Sequence, residues 1–108
     1  MSQTTFNIYL DDRLQNQLRI RFNSHKGKII NFVVQYESII NKKWIAIVRY
    51  DCAHGFFHRD RLFPDGSKEK KAINEQDLGY ALNFARQDLE DRWEWYLEHY
   101  LIMSNNDN

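Results

Sequence analysis

Strict alternation governs the first half of the chain. In Phe6-Asn7-Ile8-Tyr9-Leu10 the apolar residues Phe6, Ile8 and Leu10 fall on one side of an extended strand. Asp11-Asp12 is a turn signal. Beyond it Leu18, Ile20 and Phe22 alternate with Arg19 and Arg21, which predicts a strand with one apolar face and two guanidiniums on the other. Asn23-Ser24-His25-Lys26-Gly27 predicts a hairpin loop, where Gly27 can take a positive φ. The β-branched residues 29–40 predict a long central strand. Asn41-Lys42-Lys43 turns it into a fourth strand at 44–50, residues 56–63 offer a fifth, and Pro64-Asp65-Gly66-Ser67 is a turn.

The period then changes. Leu78, Ala81, Leu82, Ala85, Leu89, Trp93, Tyr96, Leu97, Tyr100 and Leu101 recur at three- and four-residue steps, with Asp88, Glu90, Asp91, Glu94 and Glu98 between them. A continuous helix over 75–102 would be about 40 Å long. Asn74 is its expected N-cap, with Glu75 and Asp77 in the first turn. The polar residues 104–108 read as a disordered tail. Strands followed by a helix predict one α+β domain over 1–103. It is expected to be an antiparallel β-meander of four to five strands, with one long C-terminal α-helix packed on one face.

A chain of 108 residues has room for one core. Its 43% hydrophobic content excludes an intrinsically disordered protein. One cysteine excludes an internal disulfide and fits a reducing cytoplasm. No apolar run approaches the roughly 18 residues of a membrane span, and Met1-Ser2-Gln3 opens no signal peptide, so the expectation is a cytoplasmic protein without a membrane partner. The net charge of zero hides a split. Residues 1–71 carry 13 Lys/Arg and 7 Asp/Glu, and residues 72–108 carry 2 and 8. Either the first half presents a basic working surface, or the two halves neutralise each other when packed.

The densest chemistry lies between Arg49 and Arg61, which encloses Tyr50, Asp51, Cys52, His54, His58, Arg59 and Asp60. One imidazole can take the proton of a ribose 2′-hydroxyl while the other, protonated, supplies the leaving oxygen. On that reading His54 and His58 are the acid and base, Asp51 or Asp60 orients, and Arg49 and Tyr50 meet the charge building on phosphate. No metal or other cofactor is required. His-x-x-x-His with nearby Asp and Cys also contains zinc-ligand types, although such spacing is persuasive mainly on a helix. The plain alternative pairs Asp51 and Asp60 with Arg49, Arg59 or Arg61 on a solvated sheet edge. Cys52, beside Asp51, reads as packing rather than nucleophile. Arg19, Arg21, Arg59 and Arg61 are expected to share a basic sheet surface that binds phosphate.

Arg49-Tyr50-Asp51-x-Ala53-His54-Gly55, then His58 and Phe63-Pro64, resembles the small TumE-type toxin family. The resemblance covers roughly residues 29–71. Where that family typically runs into histidines after Phe-Pro, this chain continues Asp65-Gly66-Ser67-Lys68. The resemblance implies a RelE-like ribonuclease of a toxin–antitoxin module, with a cognate antitoxin as partner. A small RNA-cleaving domain of this kind could equally degrade the cyclic oligoadenylates of CRISPR defence, as a ring nuclease does.

The expected function is therefore metal-independent cleavage of RNA or of a small cyclic oligonucleotide. The rival is a non-enzymatic module of antitoxin or inhibitor type, docking a basic protein through the acidic helix at 75–101. A homodimer is also expected, because Trp93 and Trp95 project about 200° apart on a helix and one sheet cannot cover both.

Overall fold

Short reversals force neighbouring strands to run antiparallel. The structure, a computed structural model, describes residues 1–52 and 56–106. Its order is β1 (Ser2–Tyr9), β2 (Asn16–His25), β3 (Lys28–Ile40), β4 (Lys43–Asp51), β5 (Phe57–Leu62), β6 (Lys68–Ile73) and α1 (Leu78–Asn106). The strands form one sheet in chain order. Two hairpins close through paired positive φ values, Lys26 (51°) with Gly27 (77°) and Asn41 (52°) with Lys42 (68°). This is the two-residue turn whose twist matches that of the strands it joins.

The α+β architecture agrees with the sequence pattern, and the sheet has six strands rather than four or five. The extra strand is Lys-Glu-Lys-Lys-Ala-Ile, almost wholly exposed, which carries no apolar alternation. Its loop supplies the order that its side chains do not. Phe63 N–H donates to the Ser67 carbonyl at 2.9 Å, and Asp65 Oδ1 accepts from Ser67 N–H at 2.9 Å. The helix starts later than its charges suggested. Asp77 is the cap, its Oδ1 accepting from Tyr80 N–H at 3.0 Å, and Asn74 lies outside. The helix also continues through Asn106, so residues 104–106 are helical rather than a loose tail.

Helix α1 lies over β3 and β4. Ala81 and Ala85 are fully buried and let the backbone approach closely. Leu89 and Tyr96 fill the space further along, against Val34, Tyr36, Val48 and Tyr50. Trp93 meets Tyr36 edge-on at 6.1 Å. Each fully buried side chain of this size contributes about 1.5–3 kcal/mol. Trp95 is 39% exposed and stands outside this core, its ring under Arg61 at 5.1 Å and Arg92 at 4.9 Å.

The ladder register sorts every sheet residue onto one of two faces. The helix side carries the rows Ile8–Leu18–Tyr36–Val48–Arg61–Glu69 and Phe6–Ile20–Val34–Tyr50–Arg59–Lys71. The side without a helix carries Asn7–Arg19–Gln35–Arg49–Asp60–Lys70 and Thr5–Arg21–Val33–Asp51–His58–Ala72. The first pair of rows is apolar until it reaches β5. The second is polar nearly from edge to edge.

Candidate functional site

The open face collects most of the reactive side chains. Arg19, Arg21 and Arg49 line one concavity of about 410 Å³ with Gln3, Thr5, Val33 and Gln35. Period-two alternation is the cause: Leu18 and Ile20 must reach the core, which turns Arg19 and Arg21 the other way. Glu37, only 6% exposed, organises the neighbouring amides. Its Oε1 accepts from Gln17 Nε2 at 2.8 Å, and its Oε2 accepts from Gln35 Nε2 at 2.6 Å and from Arg19 at 3.5 Å. A β-bulge between Tyr36 and Glu37 sits beside this carboxylate. Sequence reasoning missed Glu37, Gln35 and Gln17, although the alternation that exposes Arg19 also placed Gln17 beside it.

Next along the same rows stands a tighter group. Asp51 Oδ2 is 3.6 Å from Arg49 Nε, and Asp60 Oδ2 is 3.6 Å from His58 Nε2 and 3.9 Å from Lys68 Nζ. These are ion-pair distances, too long for hydrogen bonds. His58 and Asp60 are 4% and 5% exposed, yet among the described residues His58 Nδ1, Asp60 Oδ1 and Arg49 Nε have no hydrogen-bond partner. Buried polar atoms left in that state are uncommon and costly. Across the two rows and the adjoining Glu37 and Lys68, Arg19, Arg21, Arg49, Lys68 and Lys70 outnumber Glu37, Asp51 and Asp60. The face therefore carries an excess of positive charge.

Three residues expected at the same surface are elsewhere. Tyr50 points to the helix, 1% exposed, and donates to Asp88 Oδ2 at 2.7 Å. Burial, then the Asp88 carboxylate, pushes its hydroxyl far above the ordinary tyrosine value. Arg59 also faces the helix, donating to Tyr96 Oη at 3.1 Å and lying 3.6 Å from Glu69. Arg61 lies on the same side, 3.9 Å from Glu69 and stacked over Phe63 and Trp95. The four arginines thus divide two and two between opposite faces, because the apolar phase of β2 places even-numbered residues inward while that of β5 places odd-numbered ones inward. His54 lies outside the described residues.

Cys52 behaves as packing. It is buried, its Sγ accepts from Phe32 N–H at 3.1 Å, and burial followed by the nearby Asp51 pushes the thiol up. Among the described residues no three His, Cys, Asp or Glu side chains converge as metal ligands. Among the described residues the opposed charges of the two halves do not pair across the layers, and the ion pairs run within the sheet or along the helix.

Among the described residues no helix is long and apolar enough to cross a membrane. Comparison with curated proteins and with solved structures returned no match. A family model spanning residues 1–106 does match, and the chain belongs to that family, a domain of unknown function (DUF7718).

Proposed function

We propose that the open face of the sheet is the working surface and that it holds the phosphates of RNA or of a small cyclic oligonucleotide. The observation that carries this reading is the convergence of Arg19, Arg21 and Arg49 on one concavity lined with amide and hydroxyl groups. Guanidinium forks suit phosphate oxygens. Gln3, Gln35 and Thr5 supply donors and acceptors for base edges and for the 2′-hydroxyl. Among the described residues no aromatic ring lines the concavity, so the concavity itself grips backbone rather than stacked bases.

Cleavage is the second step of the proposal. His58 shares a row with Arg21 and Asp51 and is adjacent to Arg49 and Asp60, which supports an acid–base role beside a held phosphate. With Asp60 near Nε2, Nδ1 is the nitrogen left to exchange a proton. Because the imidazole is almost fully covered, it must turn toward the face to act. Tyr50 has no part in this mechanism.

Amide chemical-shift mapping with a short oligoadenylate tests the site. Shifts should concentrate at Gln3, Thr5, Arg19, Arg21, Gln35 and Arg49. Shifts confined to α1, or none, would count against it, and binding of a basic protein through α1 would favour the antitoxin-type rival. Cleavage should survive EDTA, fail on a 2′-deoxy substrate and slow by about 10²–10⁴-fold in His58→Ala.

A further inference from the structure

The two edges of the sheet are built differently. β6 is guarded: its six residues include Lys68, Lys70 and Lys71, which deter another strand. β1 reads Ser-Gln-Thr-Thr-Phe-Asn-Ile-Tyr, eight residues without a charge or a proline. All of β1 except Ile8 is exposed.

The outward half of β1 can be worked out from one hydrogen bond. Leu10 N–H donates to the Asn16 carbonyl at 2.8 Å, which marks Leu10 and Asn16 as a hydrogen-bonded pair. The β1–β2 register runs without a shift from Tyr9↔Gln17 to Ser2↔Ser24, so hydrogen-bonded pairs recur at every even-numbered residue of β1. The N–H and C=O groups of Gln3, Thr5, Asn7 and Tyr9 therefore point away from the sheet.

We propose that β1 pairs antiparallel with β1 of a second copy of this chain, extending the sheet across a two-fold axis at Phe6. Only one register satisfies all four outward residues on both copies. It sets Gln3 against Tyr9 and Thr5 against Asn7, each pair occurring twice by symmetry. Phe6 then faces Phe6 of the other copy as a non-hydrogen-bonded pair, with Cα atoms about 4.5 Å apart and side chains at their closest. That contact covers an aromatic side chain that the monomer leaves 36% exposed. No like charges oppose each other anywhere along the seam, as they would in a pairing of β6 with itself. A single strand pair buries less than the roughly 1,200 Å² of a standard interface, so the dimer should form at micromolar rather than nanomolar concentration. The inference does not depend on RNA binding, because its test uses no ligand.

Light scattering on the full chain at tens of micromolar should give a dimer. Thr5→Pro removes an outward N–H and no bond to β2, and Phe6→Lys sets two ammonium groups against each other. Both should give folded monomers with unchanged circular dichroism. Register is read by oxidation: Phe6→Cys should form a covalent dimer on a non-reducing gel, and Thr4→Cys, opposite Ile8, should not. The single native cysteine, Cys52, is buried. A wild-type monomer, a dimer that survives both Thr5→Pro and Phe6→Lys, or equal cross-linking at positions 4 and 6 would overturn the proposal.

Discussion

Arg49 and Arg59 lie on neighbouring strands and point to opposite faces of the same sheet. Arg49 opens onto the concavity with Arg19 and Arg21. Arg59 is committed to the helix side, where it meets Tyr96 and Glu69. The cluster that looks continuous in sequence is therefore two environments, one aimed at a ligand and one holding the layers together.

The holding environment centres on Asp88. Its Oδ2 accepts from both Tyr50 and Tyr96, each at 2.7 Å. Asp88→Ala removes the shared acceptor of two buried hydroxyls, leaving Tyr96 only the Arg59 donor, and urea unfolding should show a loss of roughly 2–4 kcal/mol. Tyr50→Phe, which removes one donor and keeps the ring, should cost about 1 kcal/mol. Equal losses from the two variants would mean that the shared acceptor is not the organising group.

The same tyrosines set an alkaline limit. Burial, then Asp88, raises the hydroxyls of Tyr50 and Tyr96 above their ordinary value. In the unfolded chain they ionise near pH 10. Their contribution is complete below that pH and is lost as pH rises toward the folded values. Unfolding free energy should decline above about pH 10, less steeply in Tyr50→Phe. A slope unchanged in that variant would show that Tyr50 does not couple folding to proton loss.

Asp77, not Asn74, caps the helix. Asp77→Ala should lower stability by about 0.5–2 kcal/mol, whereas Asn74→Ala should leave the unfolding midpoint within error. The reverse order would place the first turn earlier than the structure does.

Most of the fold was legible because one side of the sheet is apolar. Leu18, Ile20 and Phe22 in β2 and the three- and four-residue steps of α1 state their burial in sequence. β6 was not legible, since its register comes from the loop bonds of Phe63, Asp65 and Ser67 rather than from side-chain pattern. The helix start was obscured because Asn74, Glu75 and Asp77 are all suitable near an N-terminus, and only tertiary placement selects among them. Half of the arginine surface was legible. Arg19 and Arg21 sit in a strand whose apolar phase is clear. In β5 the odd-numbered Arg59 and Arg61 follow the buried Phe57 onto the helix side, and residues beneath a helix edge can be long and charged when tyrosines and Glu69 receive them. Glu37 escaped notice because a carboxylate amid β-branched residues gives no hint of the two amides it binds.

The salt dependence of RNA binding tests the central claim most directly. Fluorescence anisotropy with a single-stranded oligoribonucleotide should show affinity falling with salt. Arg19→Gln combined with Arg21→Gln should flatten the slope by roughly 0.7 for each phosphate that the two guanidiniums neutralise. Arg86→Gln, on the exposed side of the helix, should leave both affinity and slope unchanged. Absence of RNA binding by the wild-type protein, or one slope shared by all three proteins, would contradict the assignment of the open sheet face as the working surface.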